Sequence, residues 1–71
     1  MELRVNSVSE TFAKRLRDAR DAVSLSQAEL ADRFGVSPRT VQYWEAGNVP
    51  RPKKRREVLE FIEFVEGVRA A

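Results

Sequence analysis

Two short helical patterns, over about residues 26–46, limit the fold of this chain more than any other feature. Ser26 and Glu29 have the spacing of a capping box, in which two side chains satisfy two free backbone N–H groups, so a helix should begin at about residue 27. Gly35 follows where a left-handed residue can end the helix without the steric penalty of a Cβ atom. The first helix of the pair should therefore be about two turns long.

A second helix should start directly after this turn. Ser37 can cap it, and Pro38 suits its first position because the N–H that proline lacks would have had no partner there. Val41 and Trp44 face inward at a spacing of three, and Gly47 stands where this helix should end. Two capped helices joined by a tight glycine turn form a helix-turn-helix, a unit that can place its second helix in a DNA groove.

The opposite face of this second helix carries Arg39, Gln42 and Tyr43, which are free to touch another molecule. In the major groove of DNA, an arginine can bind the two acceptors of a guanine edge, and a glutamine can pair with adenine. A tyrosine can contact a phosphate or a thymine methyl group. We therefore predict these three residues as base-reading residues. The alternative is a solvated surface, with Tyr43 packed in part against the first helix of the chain.

This part of the chain resembles the lambda-repressor-like, Cro-type helix-turn-helix family. The motifs that carry the resemblance are LSQAELA at residues 25–31, GVS at residues 35–37 and WEAG at residues 44–47. The resemblance covers roughly residues 16–52, and Pro38 departs from it, because many members have a polar side chain there. It implies that Gln27 hydrogen-bonds a phosphate, and that the third helix of the fold reads bases through the three residues named above.

Positive charge is concentrated ahead of the last helical pattern. Residues 1–56 contain twelve basic and seven acidic side chains, whereas residues 57–71 contain one and four. Cations at the start of a helix oppose its macrodipole, so a phosphate backbone beside the basic run at residues 51–56 would supply the missing anions. The alternative is an ordinary solvated basic loop. The predicted phosphate-binding residues, including the one that the resemblance implies, are Gln27, Ser37, Thr40, Arg51, Lys53, Lys54, Arg55 and Arg56.

The first helix of the chain should begin at Ser7 or Ser9, because the spacing of a capping box follows Ser7. It carries an apolar stripe, and its charged residues alternate in sign, which is typical of a solvated face with no specific role. The stripe is Phe12, Leu16, Ala19 and Val23, and the basic side chains of the other face are Lys14, Arg15, Arg17 and Arg20. Glu45 on the third helix would be repelled by phosphate, so we expect it to pair with Arg20 or Arg33.

Length bounds the architecture. A chain of 71 residues has room for one domain that buries about 60% of its unfolded surface, so residues 1–71 should form a single helix-turn-helix domain. We predict an all-α fold, a compact bundle of four to five helices with a short N-terminal arm around Leu3 and Val5. The expected core consists of Phe12, Leu16, Leu25, Leu30, Phe34, Val41, Trp44, Val58, Phe61 and Ile62.

The last helical pattern is apolar over more than half of its circumference, which is wider than one face of a small core requires. Part of this surface should therefore meet another molecule, and we predict a homodimer contact there. The residues of this predicted dimer contact are Phe61, Phe64 and Val68. The alternative is that Leu3 and Val5 fold back over the same surface within one chain.

Several residue types and motifs that enzymes commonly use are missing from this sequence. It contains no histidine and no cysteine, and it lacks a glycine-rich phosphate loop, so acid–base, nucleophilic and zinc chemistry all lack parts. We expect no enzymatic activity, no cofactor and no metal. No stretch is apolar enough to span a membrane, no signal peptide is recognisable, and a chain without cysteine fits a reducing compartment, so we expect a cytoplasmic protein.

These features together predict a sequence-specific regulator of transcription that binds double-stranded DNA as a homodimer. A repressor, or an antitoxin-like regulator of its own operon, is the expected role. One alternative is a protein-interaction module that recruits a partner through the last helix, with DNA binding incidental. Another alternative is the DNA-targeting domain of a larger protein.

Overall fold

Four helices follow one another along the chain. The computed structural model describes residues 8–70, with side chains from residue 11 to residue 69, and no strand lies within that range. The helices are α1 (Val8–Ala22), α2 (Gln27–Phe34), α3 (Pro38–Glu45) and α4 (Pro52–Ala70). The all-α prediction is confirmed with four helices, and α1 begins between the two predicted starts. The predicted N-terminal arm lies outside the described residues.

The predicted capping signals of α2 are present in the structure. The Glu29 backbone N–H donates to Ser26 Oγ at 3.0 Å, and the Ser26 backbone N–H donates to Glu29 Oε1 at 2.8 Å. Because the Ser26 N–H stabilises the charged carboxylate, the pKa of Glu29 lies below its ordinary value. Gly35 ends the helix in the left-handed region at φ 68°, and the Val36 N–H then donates to the Ala31 carbonyl at 2.9 Å.

The second start signal is confirmed in the same way. Ser37 has extended backbone angles, and its hydroxyl accepts from the Thr40 N–H at 3.3 Å, while Pro38 takes the first helical position. At the other end, α3 is capped by Ala46, and Gly47 turns the chain away at φ 111°. The sequence therefore sets the length of α3 through signals that lie within a few residues of its ends.

Each of the four helices contributes fully buried side chains to one core. The residues with no exposed surface are Leu16 of α1, Leu30 of α2, Val41 of α3, and Val58 and Ile62 of α4. Phe34 lies at the edge of this core, where its ring meets those of Trp44 and Phe61 edge-on, with centroids 6.2 and 5.8 Å apart. The predicted core is confirmed, except that Phe34 and Leu25 are only partly buried.

The apolar stripe of α1 ends earlier than predicted. Val23 is 42% exposed, because α1 ends at Ala22 and Ser24 takes a left-handed conformation at φ 59°. The side chain therefore never reaches the core. The three preceding residues of the stripe, Phe12, Leu16 and Ala19, are buried as expected.

The interpretation of the α1 basic residues as a solvated face without a role is wrong for Arg15. Its guanidinium donates to both carboxylate oxygens of Glu66 on α4, at 2.8 and 2.7 Å. This bidentate pair lowers the pKa of Glu66 and raises that of Arg15, because each charge stabilises the other. The spacing along the chain, 51 residues, explains why no local pattern predicts the pair.

Candidate nucleic-acid interface

The outward face of α3 is the centre of the candidate interface. Arg39, Gln42 and Tyr43 are all exposed, as is Ala46, and the Tyr43 side chain shows 53% of its surface. The inward face carries Val41, which has no exposed surface, and Trp44, which has 5%. The helix is therefore held by one side only, and its three predicted base-reading side chains are free for a ligand. Their contact with bases stays a prediction.

The start of α3 holds two of the predicted phosphate-binding residues. The hydroxyl groups of Ser37 and Thr40 lie 3.1 Å apart, and the Ser37 oxygen also accepts from the Thr40 backbone N–H. Each hydroxyl has a single hydrogen to donate, so their mutual bond uses one and leaves one for an acceptor outside the protein. Ser37 can thus cap the helix while the pair still offers one hydroxyl donor to phosphate.

Basic side chains gather at the start of α4, where the first turn has no acidic residue. Arg51, Lys53, Arg55 and Arg56 are all exposed. Arg51 lines a shallow groove together with Thr40 and Tyr43, so it lies beside the exposed face of α3. Arg56 instead lines a different groove of α4, with Glu60 and Glu63. The structure therefore brings two cations of the basic run, Arg51 and Lys54, next to α3, whereas Arg56 lies on a different side of α4.

Lys54 has a structural role in addition to its predicted phosphate contact. Its ammonium donates to the Phe34 carbonyl at 3.0 Å and to Glu57 Oε1 at 3.0 Å, and its side chain is only 33% exposed. A cation at the last carbonyl groups of a helix is favourable, because those groups have no partner within the helix. Within the fold this lysine fastens the end of α2 to the start of α4, and its phosphate contact stays a prediction.

Glu45, the last residue of α3, is buried, with 8% of its surface exposed. It forms the predicted pair with Arg20. Arg20 Nε donates to Glu45 Oε2 at 2.7 Å, and Arg20 Nη2 donates to Oε1 at 3.1 Å. This pairing raises the pKa of Arg20 above its ordinary value. The other predicted candidate, Arg33, lies over the ring of Phe61 instead, 5.5 Å from its centroid.

Two further donors complete this buried network. Gln27 Nε2 donates to Glu45 Oε1 at 3.0 Å, and Arg17 Nη1 donates to the Glu45 backbone carbonyl at 3.0 Å. Gln27 is half-buried and uses one of its two amide N–H groups within the protein, and its phosphate contact stays a prediction. Arg17 and Arg20 likewise have partners on α3. Sequence patterns missed these links because they join residues 18 to 28 positions apart.

Of the three residues of the predicted dimer contact, one is buried and two are exposed. Phe61 is wrong as a contact residue, because it is 8% exposed and packs in the core against Phe34. Phe64 and Val68 are 68% and 60% exposed, and their spacing of four places them on one face of α4. These two residues form the exposed α4 patch.

The chain belongs to the helix-turn-helix domain family, whose family model matches residues 11–67. That match covers the two capped helices and most of α1 and α4. It supports DNA binding by this domain. No solved structure matches the chain.

Two general features of the described part of the chain bear on its chemistry. No group of three or more acidic, histidine or cysteine side chains that could hold a metal ion lies in the described residues. None of the four helices is both long enough and apolar enough to cross a membrane.

Proposed function

We propose that this helix-turn-helix domain is a sequence-specific regulator of transcription, of the lambda-repressor-like, Cro-type branch of the family, which reads DNA by placing α3 in the major groove. The observation that carries the proposal is the division of α3 into two faces. Val41 and Trp44 hold it in the core, while Arg39, Gln42 and Tyr43 point outward. Arginine and glutamine are side chains that can discriminate base pairs in the major groove.

The charges around α3 support the same proposal. Arg51 lies beside Tyr43 and Thr40, and further exposed cations follow at Lys53 and Arg55. Such side chains neutralise phosphates and release bound counterions, so the affinity should fall steeply as salt rises. In this arrangement the cations orient the domain on the duplex, and the outward side chains of α3 read the sequence.

A homodimer is the second part of the proposal. Two copies related by two-fold symmetry present two α3 helices about 34 Å apart, one helical turn of DNA, to a palindromic site. The exposed α4 patch is where we place the contact, because Phe64 and Val68 are the most exposed large apolar side chains in the described residues. In this form the protein would act in the cytoplasm as a repressor, or as an antitoxin-like regulator of its own operon, without enzymatic activity.

Selection of bound duplexes from a random pool tests the proposal. We expect a preferred sequence with two-fold symmetry, and half-sites separated by about ten base pairs. Mobility-shift titrations of the selected duplex and of mixed genomic DNA at rising salt then give the specificity ratio and the salt slope. Equal affinity for all duplexes at every salt concentration would contradict sequence-specific binding.

The exposure of the α4 patch also favours a second candidate function, a protein-interaction module. In that case Phe64 and Val68 recruit a different protein, and DNA binding is incidental. A charge placed in the patch by Phe64→Glu separates the two functions. It should abolish partner recruitment while leaving any DNA binding of single domains intact.

A further inference from the structure

The buried network around Glu45 has a geometry that bears on how α3 is oriented. Among the described residues, Glu45 is the one charged residue that is buried. Burial of a carboxylate costs free energy unless hydrogen-bond donors surround it. The donors to Glu45 come from two other helices, Arg20 of α1 and Gln27 of α2. Arg20 Nη1 also donates to the Leu25 carbonyl at 2.9 Å, which fixes the guanidinium relative to the turn between α1 and α2.

We propose that Gln27 and Glu45 are positioning residues, which set the orientation of α3 and thereby its sequence preference without contacting bases. The inference rests on the proposed function and deepens it. The apolar attraction that holds Val41 and Trp44 in the core has no preferred direction, so directional contacts at the end of α3 can adjust its tilt. Hydrogen bonds are directional, and the 3.0 Å bond from Gln27 Nε2 to Glu45 Oε1 ties the last residue of α3 to the first residue of α2.

The bond between Gln27 and Glu45 lies at one end of α3, so a small rotation of the helix at this end displaces the residues at its other end. Glu45 ends α3, and Arg39 lies six residues earlier, about 9 Å along the helix axis. A tilt of about 10° around the Glu45 end would move the Arg39 backbone by about 1.5 Å, which exceeds the tolerance of roughly 0.5 Å for a well-formed binding site. All three outward side chains would shift together, because a helix of eight residues moves as a unit.

Gln27→Ala tests the proposal with little risk to folding. Gln27 is half-buried, and alanine is the best helix former, so the domain should stay folded. We would measure dissociation constants for a selected duplex and for a mixed-sequence duplex of equal length at one salt concentration. The specificity ratio should fall on the order of tenfold, because one misaligned bidentate contact loses about that much discrimination. The affinity for mixed-sequence DNA should not change.

Glu66→Gln is the matched control. It breaks the bidentate contact between α1 and α4, which involves no residue of α3, and so should lower stability without changing the specificity ratio. Fluorescence of Trp44, the single tryptophan of the chain, reports the folded fraction of every variant. All titrations are made at a temperature at which each variant is fully folded.

An exchange of the two side chains provides a rescue test. Gln27→Glu alone places a second carboxylate beside Glu45 and should lower the specificity ratio. The double variant Gln27→Glu with Glu45→Gln restores one amide and one carboxylate across the same contact, near Arg20. It should recover part of the ratio that Gln27→Glu alone loses, because residues in direct contact couple non-additively, but not all of it, because Arg20 Nη2 loses its acceptor.

The outcomes separate this inference from the proposed function. If the wild-type protein fails to discriminate between the duplexes, sequence-specific binding itself is wrong. If it discriminates and Gln27→Ala leaves the ratio unchanged, only the positioning role is overturned. Equal weakening on both duplexes would assign Gln27 to a phosphate contact, which also overturns the positioning role.

Discussion

At the scale of single residues, neighbouring cations of this chain have different environments and therefore different roles. Lys53 is exposed, whereas the ammonium of Lys54 donates to the Phe34 carbonyl and to Glu57. On α2, the guanidinium of Arg33 lies over an aromatic ring. The positive charge of a residue says little about DNA contact until its neighbours in space are known. The first two predictions test this division.

Arg39→Ala and Lys53→Met should affect DNA binding differently. Loss of Arg39 should reduce discrimination between sequences by about 1–3 kcal/mol, because a bidentate base contact is lost. Loss of Lys53 should weaken binding to every sequence alike and reduce the salt slope by about one, because one phosphate contact is lost. Mobility shifts on selected and mixed duplexes over a range of salt concentrations measure both quantities. Identical effects of the two variants would contradict the proposed separation of base and phosphate contacts.

Lys54→Met should destabilise the domain and leave the salt slope unchanged. The substitution keeps the aliphatic stem and removes the donor to the Phe34 carbonyl. Hydrogen bonds of charged groups contribute roughly 1.5–3 kcal/mol, and partial exposure screens this one, so we expect a loss of about 1 kcal/mol in the free energy of unfolding. Urea unfolding followed by Trp44 fluorescence measures it, with Lys53→Met as control. A reduced salt slope for Lys54→Met would support its predicted phosphate contact.

At the scale of elements, the turns and the contacts between helices have separate physical origins. The caps of α2 and the start of α3 depend on residues within four positions of each other, such as Ser26 with Glu29. The bonds between helices depend on how the helices cross. Arg15 with Glu66 and Lys54 with the Phe34 carbonyl are examples. The local capping contacts control where a helix begins or ends, and the contacts between helices hold the helices to one another.

Gly35→Ala and Gly67→Ala should change stability in opposite directions. Gly35 has φ 68°, and an added Cβ would meet no atom within 4 Å, so backbone strain alone should cost about 1 kcal/mol. Gly67 lies within α4, also in open space, and alanine there should stabilise the domain by about 0.5–1 kcal/mol. Thermal unfolding of the two variants gives the signs. A neutral Gly35→Ala would contradict the strained left-handed turn.

The contact between Arg15 and Glu66 should make stability depend on pH in acid. The folded state lowers the pKa of Glu66, chiefly through the hydrogen bonds from Arg15. The resulting stabilisation is present above the ordinary value of 4.5 and is lost as the pH falls through the lower folded value. Asp18 and Glu29 shift in the same direction and add to this loss.

Glu66→Gln should therefore be less stable than the wild type at neutral pH, and the difference should shrink as the pH falls below 4.5. Urea unfolding at a series of pH values measures the difference. Glu63→Gln, an exposed neighbour on the same helix, is the control. A gap between Glu66→Gln and the wild type that is constant with pH would show that the charge of Glu66 is not responsible.

Local capping contacts can be predicted from the sequence, whereas most contacts between helices cannot. The two capping serines and Gly35 are predictable because their signals are local and their chemistry is specific. The pairing of Glu45 with Arg20 was predicted in part, since an acidic residue on a helix expected to face DNA needs an explanation. The donor from Gln27 and the role of Lys54 require the crossing geometry of α2 with α3 and α4, which no periodic pattern contains. Phe61 was assigned both to the core and to the dimer contact, and burial decides for the core.

At the scale of the whole molecule, the four helices surround one core, and the radius of gyration is 12.2 Å. The described residues leave two kinds of surface without a partner in the fold. One is the outward face of α3 with its neighbouring cations, and the other is the exposed α4 patch. DNA is our proposal for the first surface, in keeping with the family of the domain. A second copy of the chain is our proposal for the second.

Phe64→Ser should weaken self-association if the α4 patch is the dimer contact. We expect the wild-type mass from light scattering to rise toward twice the monomer value with concentration, and the variant to stay closer to the monomer. Val23→Ser is the matched control, because Val23 is also an exposed apolar residue but lies at the end of α1. A wild-type protein that stays monomeric at high concentration would remove the dimer from the proposal.

Charges of opposite sign follow one another along α4, with exposed Lys53 in its first turn and exposed Glu60 and Glu63 in its middle. Such a separation gives the domain a polarity of its own in addition to its net charge of +2. A polyanion is attracted by the basic first turn and repelled by the acidic middle of the helix before any contact forms, so encounters should already be aligned when they occur. Under the proposed function, collisions that lead with the acidic segment would be unproductive, and that segment would stay accessible while nucleic acid occupies the basic one.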